Sequence, residues 1–225
     1  MLHAASGLQS IVCYGTLCLN FVARQREGSL NVDLAAFFKA EFAEHHDVAR
    51  RTEAALSGAF AELVSACVKS VRSGGKLMFF GNGGSAADAQ HLATELTIRY
   101  KISRAPIAAV ALTTDTSALT AAGNDLGFEN IFARQIEALG RAGDIAIAIS
   151  TSGRSANVIS ALKQARAMGL VTAALGGKGD MAGLADHLLV VPSETVARIQ
   201  EMHITLGQML CGALEIELGL VSAPR

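Results

Sequence analysis

The chain has no tryptophan, and only 5% of its 225 residues are aromatic and 17% charged. Its 19 Lys and Arg are set against 20 Asp and Glu, a formal net charge of −1. No basic field is therefore available to hold nucleic acid by counterion release. The four cysteines (Cys13, Cys18, Cys67 and Cys211) have no C-x-x-C spacing and no companion histidines in zinc-finger register. That excludes a disulfide scaffold and a zinc finger, and fits buried or idle thiols of a cytoplasmic protein. The N-terminal stretch from Leu8 to Ala23 is interrupted by Gln9, Ser10 and Asn20, and is too short and polar to span a membrane. A secretory signal needs a cation ahead of its apolar run, and only His3 stands there. What is present is a 51% hydrophobic chain, long enough for one α/β domain with a substantial core. Residues 1–28 read as a loosely attached extension or an upstream translation start, with a weak targeting segment as the lesser reading. Residues 29–225 read as one domain.

Between residues 31 and 72 apolar residues recur every three to four positions, including Phe37, Phe38, Phe42, Leu56, Phe60, Leu63 and Val64. The spacing predicts two helices, the first capped by Asp33 and the second closed by Gly74-Gly75. Helices with such stripes ahead of a sheet often pack on another subunit. The period then changes. Short, nearly continuous apolar runs at 76–80, 107–112, 144–150, 170–175 and 187–191 predict strands buried on both faces, hence a parallel sheet. Helical stretches at 86–99, 128–139 and 155–168 alternate with them, and a long helix follows from about 196 to 219. This is the pattern of an α/β, doubly wound, five-stranded parallel sheet with right-handed crossovers. Ligands of such sheets sit beyond the carboxyl ends of the strands.

The first strand runs into Gly81-Asn82-Gly83-Gly84-Ser85, where glycine backbone and a helix N-terminus suit a phosphate or a sugar hydroxyl. The loop is not G-x-G-x-x-G and lacks the lysine of a P-loop, which argues against dinucleotide and ATP binding. The third strand ends in Ser150-Thr151-Ser152-Gly153-Arg154-Ser155, four hydroxyls around one glycine at a helix start. A single serine there would be an ordinary cap. Several together favour a phosphate monoester held without a fixed cation. On the helix after the glycine loop, His91 and Glu95 stand one turn apart, able to share a metal or a substrate oxygen. Arg99, a further turn on, is either an anion contact or a solvated helix end. Asn124-Asp125, after Ala121-Ala122-Gly123, reads as a turn. On the terminal helix Gln200, Ile204 and Gln208 share a face, and an amide at Gln208 among apolar neighbours requires a partner.

Four motifs in this order resemble a sugar isomerase (SIS) domain: the run from Gly81 to His91, Gly123-Asn124-Asp125, Ser150-Thr151-Ser152-Gly153 and Arg198-Ile199-Gln200-Glu201. More narrowly, residues of about 30–218 resemble the phosphoheptose isomerases, which convert sedoheptulose 7-phosphate to D-glycero-D-manno-heptose 7-phosphate. The resemblance implies a cytoplasmic homotetramer with active sites at subunit contacts, the N-terminal helices serving oligomerisation. It implies that Asn82, Gly83, Gly84, Asn124, Asp125, Ser150, Thr151, Ser152 and Ser155 hold the sugar phosphate, with Ser85 beside them. It further implies a zinc ion on His91, Glu95, Gln200 and the residue eight positions on, with Glu95 and that last residue moving protons.

In the family the last residue is histidine, and here it is Gln208. Isomerisation through an enediol needs a base and something to polarise oxygen, and an amide neither takes nor gives a proton near neutral pH. It is also a poorer zinc donor than imidazole. His203 lies off the face shared by Gln200 and Gln208. Two readings follow. The first is an isomerase weakened by Gln208, or working with water or another residue in its place. The second is a non-catalytic, DiaA-like SIS-domain regulator that binds a protein partner as a tetramer. Those regulators also depart at the glutamate position, whereas Glu95 is retained here. No partnership with nucleic acid or membrane is expected.

Overall fold

In the computed structural model residues 32–222 are described, apart from Lys178 and Asp180; the expected extension over 1–28, with Cys13 and Cys18, lies outside them. Internal contacts divide the chain into Met1–Ala43 and Glu44–Arg225. In the first unit Asp33 Oδ1 accepts from the N–H groups of Ala35 and Ala36 at 3.0 and 3.1 Å, the cap its position promised. There Leu34, Phe37, Phe38 and Phe42 are exposed, and the rings of Phe38 and Phe42 stack at 4.9 Å.

The first element, α1 (Leu34–Arg72), is one helix of 39 residues rather than the two expected. Nothing in its sequence stops it: it has no proline and a single glycine, Gly58, at an exposed position. By length and composition it is apolar enough to cross a membrane, a test that core helices of soluble proteins also pass. After it come β1 (Leu77–Gly81), α2 (Gly84–Thr97), β2 (Ala109–Ala111) and α3 (Thr116–Asp125). A 3₁₀ turn (Phe128–Asn130) leads into α4 (Ala133–Leu139), β3 (Ile145–Ser150) and α5 (Ala156–Ala167). The chain continues through β4 (Val171–Gly176), β5 (His187–Val190) and α6 (Val196–Glu217). Helix α3, where a turn was expected, starts on an Asp115 cap whose side chain accepts from Ala118 N–H at 2.9 Å. Its run of Thr, Ser and Ala has little apolar periodicity, so the expectation rested on Gly123-Asn124-Asp125 alone. Those three residues instead fall inside the helix.

All five strands are parallel, in the order β2-β1-β3-β4-β5. Alternate residues of the central strands feed two cores. Leu77, Phe79, Ile145, Ile147 and Ile149 face a cluster with residues of α1, α2 and α6. Met78, Phe80, Ala146 and Ala148 face α5, Ile136 of α4 and Ala122 of α3. Both faces are covered, which is why the strands read as continuous apolar runs. The switch point, where the chain reverses direction along the sheet, lies between the adjacent strands β1 and β3. There Gly81 pairs with Ile149, and the two candidate loops emerge side by side.

Candidate active site

The β3 turn is a neutral cup. Ser150 Oγ accepts from Gly153 N–H at 3.1 Å, and Ser152 Oγ accepts from Arg154 N–H at 3.3 Å, which holds the turn's shape. Ser155 occupies the N-cap of α5 but makes no side-chain cap bond, so its hydroxyl is not committed to the helix. Part of the turn opens onto a cleft of about 220 Å³ lined by Thr151, Ser152, Arg154, Glu194, Val196 and Ile199. The last two belong to the start of α6, which brings the terminal helix to the edge of the cup.

Helices α2 and α6 run side by side in parallel, in a register that three contacts define. At the upper end a Cβ on Gly84 would stand 2.5 Å from Gln200 Nε2, so the glycine makes room for that amide. Further along, a Cβ on Gly207 would collide with Leu92. Gln208 Nε2 lies 2.9 Å from His91 Nε2. His91 Nε2 is also 2.9 Å from Glu95 Oε1, one turn on as the sequence spacing required. Imidazole, carboxylate and the amide of Gln208 thus converge, while the contact recorded for Gln200 is with the glycine loop.

A single Nε2 cannot both accept from the Gln208 amide and donate to Glu95. A Gln208 side chain turned to present its oxygen, with the ring protonated on Nδ1, leaves the imidazole nitrogen, the carboxylate and the amide oxygen as neighbouring donors. Nitrogen and oxygen donors in that arrangement fit a divalent cation, although an amide oxygen binds zinc less well than the imidazole it replaces. Among the described residues no cluster of three His, Cys, Asp or Glu exists, because the third member here is an amide.

Two further groups stand beside this site, Arg104 outside every motif and Asp88 inside the run from Gly81 to His91. Arg104 donates from Nη2 to the Glu95 carbonyl and from Nη1 to the Leu96 carbonyl, both at 2.7 Å. Its Nε meets Glu215 Oε1 at 2.7 Å, with both side chains buried. This clamp closes the C-terminal end of α2 against α6 and holds the backbone that carries Glu95. A cation just beyond a helix C-terminus was the available signal. Asp88, one turn before His91, has a buried Oδ2 without a partner; burial pushes its carboxyl up, with the His91 charge acting in the opposite sense.

Asn82 and Asn157 exchange side-chain hydrogen bonds of 2.9 and 2.8 Å, joining the glycine loop to the start of α5. Ser85 is buried in the first turn of α2. Asn124 and Asp125 do not line the cup: Asn124 Nδ2 donates to Asp125 Oδ1 at 2.7 Å, and Asp125 lines another cleft with Arg134 and Leu126. Arg99 is exposed beyond the end of α2. His203 is fully buried. Burial holds its pKa below the usual imidazole value, and the Gly176 carbonyl works the other way. Burial pushes the thiols of Cys67 and Cys211 up to about 12.

Residues 42–177 match the SIS domain family, and the chain belongs to it. Phosphoheptose isomerases are among its relatives of high identity. It is 59% identical over 183 residues to the phosphoheptose isomerase of Paramagnetospirillum magneticum, covering 80% of this chain and 95% of that one. It is 50% identical over 177 residues to that of Campylobacter jejuni serotype O:6, covering 78% and 95%. The structure of phosphoheptose isomerase GmhA from Neisseria gonorrhoeae is 44% identical and superposes with a TM-score of 0.76 over 81% of this chain and 98% of that one. A phosphoheptose isomerase from Francisella tularensis superposes at 0.79 with 35% identity and the same coverage.

Proposed function

We propose that this protein is a phosphoheptose isomerase that interconverts sedoheptulose 7-phosphate and D-glycero-D-manno-heptose 7-phosphate through an enediol. The observation that carries the reading is the joining of the β1 and β3 turns by Asn82 and Asn157, with the α2–α6 face beside them. One substrate can then meet both ends of the site. Thr151, Ser152, Ser155 and the amides of α5 take the phosphate, while Gly83, Gly84, Ser85 and Asn82 meet the sugar. Asn124 and Asp125 bind the substrate in this reading from outside the cleft of the β3 turn. Glu95, 18% exposed and fixed through its own carbonyl by Arg104, takes the proton from the carbon beside the carbonyl and returns it to the neighbouring carbon. Gln208 orients His91 and the substrate oxygens but moves no proton, so water carries the oxygen-bound proton. Zinc on His91, Glu95, Gln200 and Gln208, when bound, supplies polarisation of the carbonyl oxygen.

The domain assignment of 29–225 with an extension over 1–28, the cytoplasmic location and the homotetramer belong to the same reading. The tetramer is supported by the exposed Leu34, Phe37 and Phe38, and by an apolar cleft of about 360 Å³ on the second unit, lined by Leu56, Phe60, Met202 and Met209. Replacement of the family histidine by Gln208 favours the second reading, a non-catalytic regulator. Retention of Glu95 within 2.9 Å of His91 favours the enzyme. The test is conversion of sedoheptulose 7-phosphate by the purified chain. Turnover above the uncatalysed rate is expected, and binding without turnover would transfer the protein to the regulators.

A further inference from the structure

We infer that Asn157 sets the distance and angle between the two halves of the substrate site by locking Asn82, and so makes the affinity for a sugar phosphate exceed what either turn supplies alone. The inference rests on the sugar-phosphate reading and extends it to a residue outside the expected binding set. The sheet itself stops short of this task. Ladder pairing between β1 and β3 ends at Gly81 and Ile149. Beyond it the glycine loop and the hydroxyl turn leave the sheet on separate paths. The side chains of Asn82 and Asn157 bridge them with two reciprocal bonds of 2.9 and 2.8 Å.

Asn157 is only 2% exposed and sits in the first turn of α5, two residues after the Ser155 N-cap. Asparagine is a weak helix former, and burying an amide is unfavourable unless both its donor and acceptor are used. The reciprocal pair uses one donor and one acceptor of each residue. A buried asparagine there therefore serves the partner it reaches rather than the helix it occupies. With the bridge in place, the two turns are ordered before a ligand arrives. A ligand that touches both then loses less freedom on binding, which is the source of the added affinity. A ligand that touches only the hydroxyl turn gains nothing from the bridge.

That difference supplies the test. Binding of sedoheptulose 7-phosphate and of inorganic phosphate is measured by calorimetry on the full chain and on Asn157→Ala. Sedoheptulose 7-phosphate is expected to bind about tenfold more weakly to the variant, and inorganic phosphate to change by less than about twofold. In an Asn82→Ala background, Asn157→Ala is expected to add no further loss, because its effect runs through Asn82. If Asn157→Ala does not fold, Asn157→Ser, too short to span to Asn82, takes its place with the same expectation. Equal weakening of both ligands makes Asn157 a structural residue of the cup and overturns the inference. So does an unchanged affinity for the sugar phosphate. If the unaltered chain binds inorganic phosphate but no sugar phosphate, the proposed function falls and takes this inference with it.

Discussion

The phosphate end of the site and the carbonyl end are built from different materials. In the proposed site the β3 turn offers its ligand backbone amides and short hydroxyls, fixed by the local bond from Gly153 N–H to Ser150 Oγ and backed by the N-terminus of α5. The carbonyl end depends on long side chains from two helices that meet only because α2 and α6 run in register. A cup made of backbone tolerates sequence change nearby. A constellation of side chains fails or changes its chemistry with one substitution, and Gln208 stands where the family resemblance implies histidine. The protein should therefore bind its substrate like its relatives while turning it over with a reduced set of groups.

Three changes would break or sharpen this contrast, and a fourth probes a group outside it. Glu95→Gln removes the carboxylate assigned as base and should lower turnover by about a thousandfold or more, leaving inorganic phosphate affinity unchanged. Steady-state assays beside calorimetry check both halves, and surviving activity would remove Glu95 from its role. Gln208→His restores an imidazole opposite His91 and should raise both bound zinc and turnover, the latter by about a hundredfold, the usual size of a general acid–base contribution. Metal analysis by mass spectrometry and the same assay measure it. Ser155→Ala acts at the other end. It should weaken inorganic phosphate and sugar phosphate alike by about fivefold, the loss of one hydrogen bond. Because Ser155 makes no side-chain cap bond, thermal stability should change by less than about 0.5 kcal/mol, below the usual cost of losing a cap.

The smallest effect concerns neither end. His203 is fully buried with its pKa lowered from 6.5, so below pH 6.5 the unfolded chain takes up a proton that the folded one refuses. More protons on the unfolded state mean that its contribution to stability is full above the unfolded pKa and is lost as pH falls, by at most about 1.4 kcal/mol per pH unit. Melting curves of His203→Leu between pH 5 and 7 should show a shallower acid slope than the parent. An unchanged slope would assign the acid sensitivity to other groups.

Much of this was legible in the chain. Five short apolar runs announced a parallel sheet because strands covered on both faces need no alternation, and their order with the helices left little freedom of topology. The i, i+4 spacing of His91 and Glu95 was sufficient to place them together. Two helices were expected where one runs, since a change in apolar pattern is easily taken for a break when no stop residue marks one. Helix α3 escaped notice because its Ala- and Thr-rich run carries almost no apolar stripe. The Asn82–Asn157 bridge was invisible, joining residues 75 positions apart, and of the Arg104–Glu215 clamp the sequence offered only a cation beyond the end of α2, with its partner 111 positions on.

The sequence by itself determined the class of fold, the two ligand-facing loops and the helical face on which His91 and Glu95 stand. Each follows from a local rule: strand burial, backbone freedom at glycine, or the pitch of a helix. Only the tertiary structure decided that Gln208 meets His91 while Gln200 meets the glycine loop, and that the side-chain amides of Asn82 and Asn157 join the β1 and β3 turns. The reason is physical. Local periodicity sets which way a side chain points along its own element, but the register between elements comes from how whole surfaces pack.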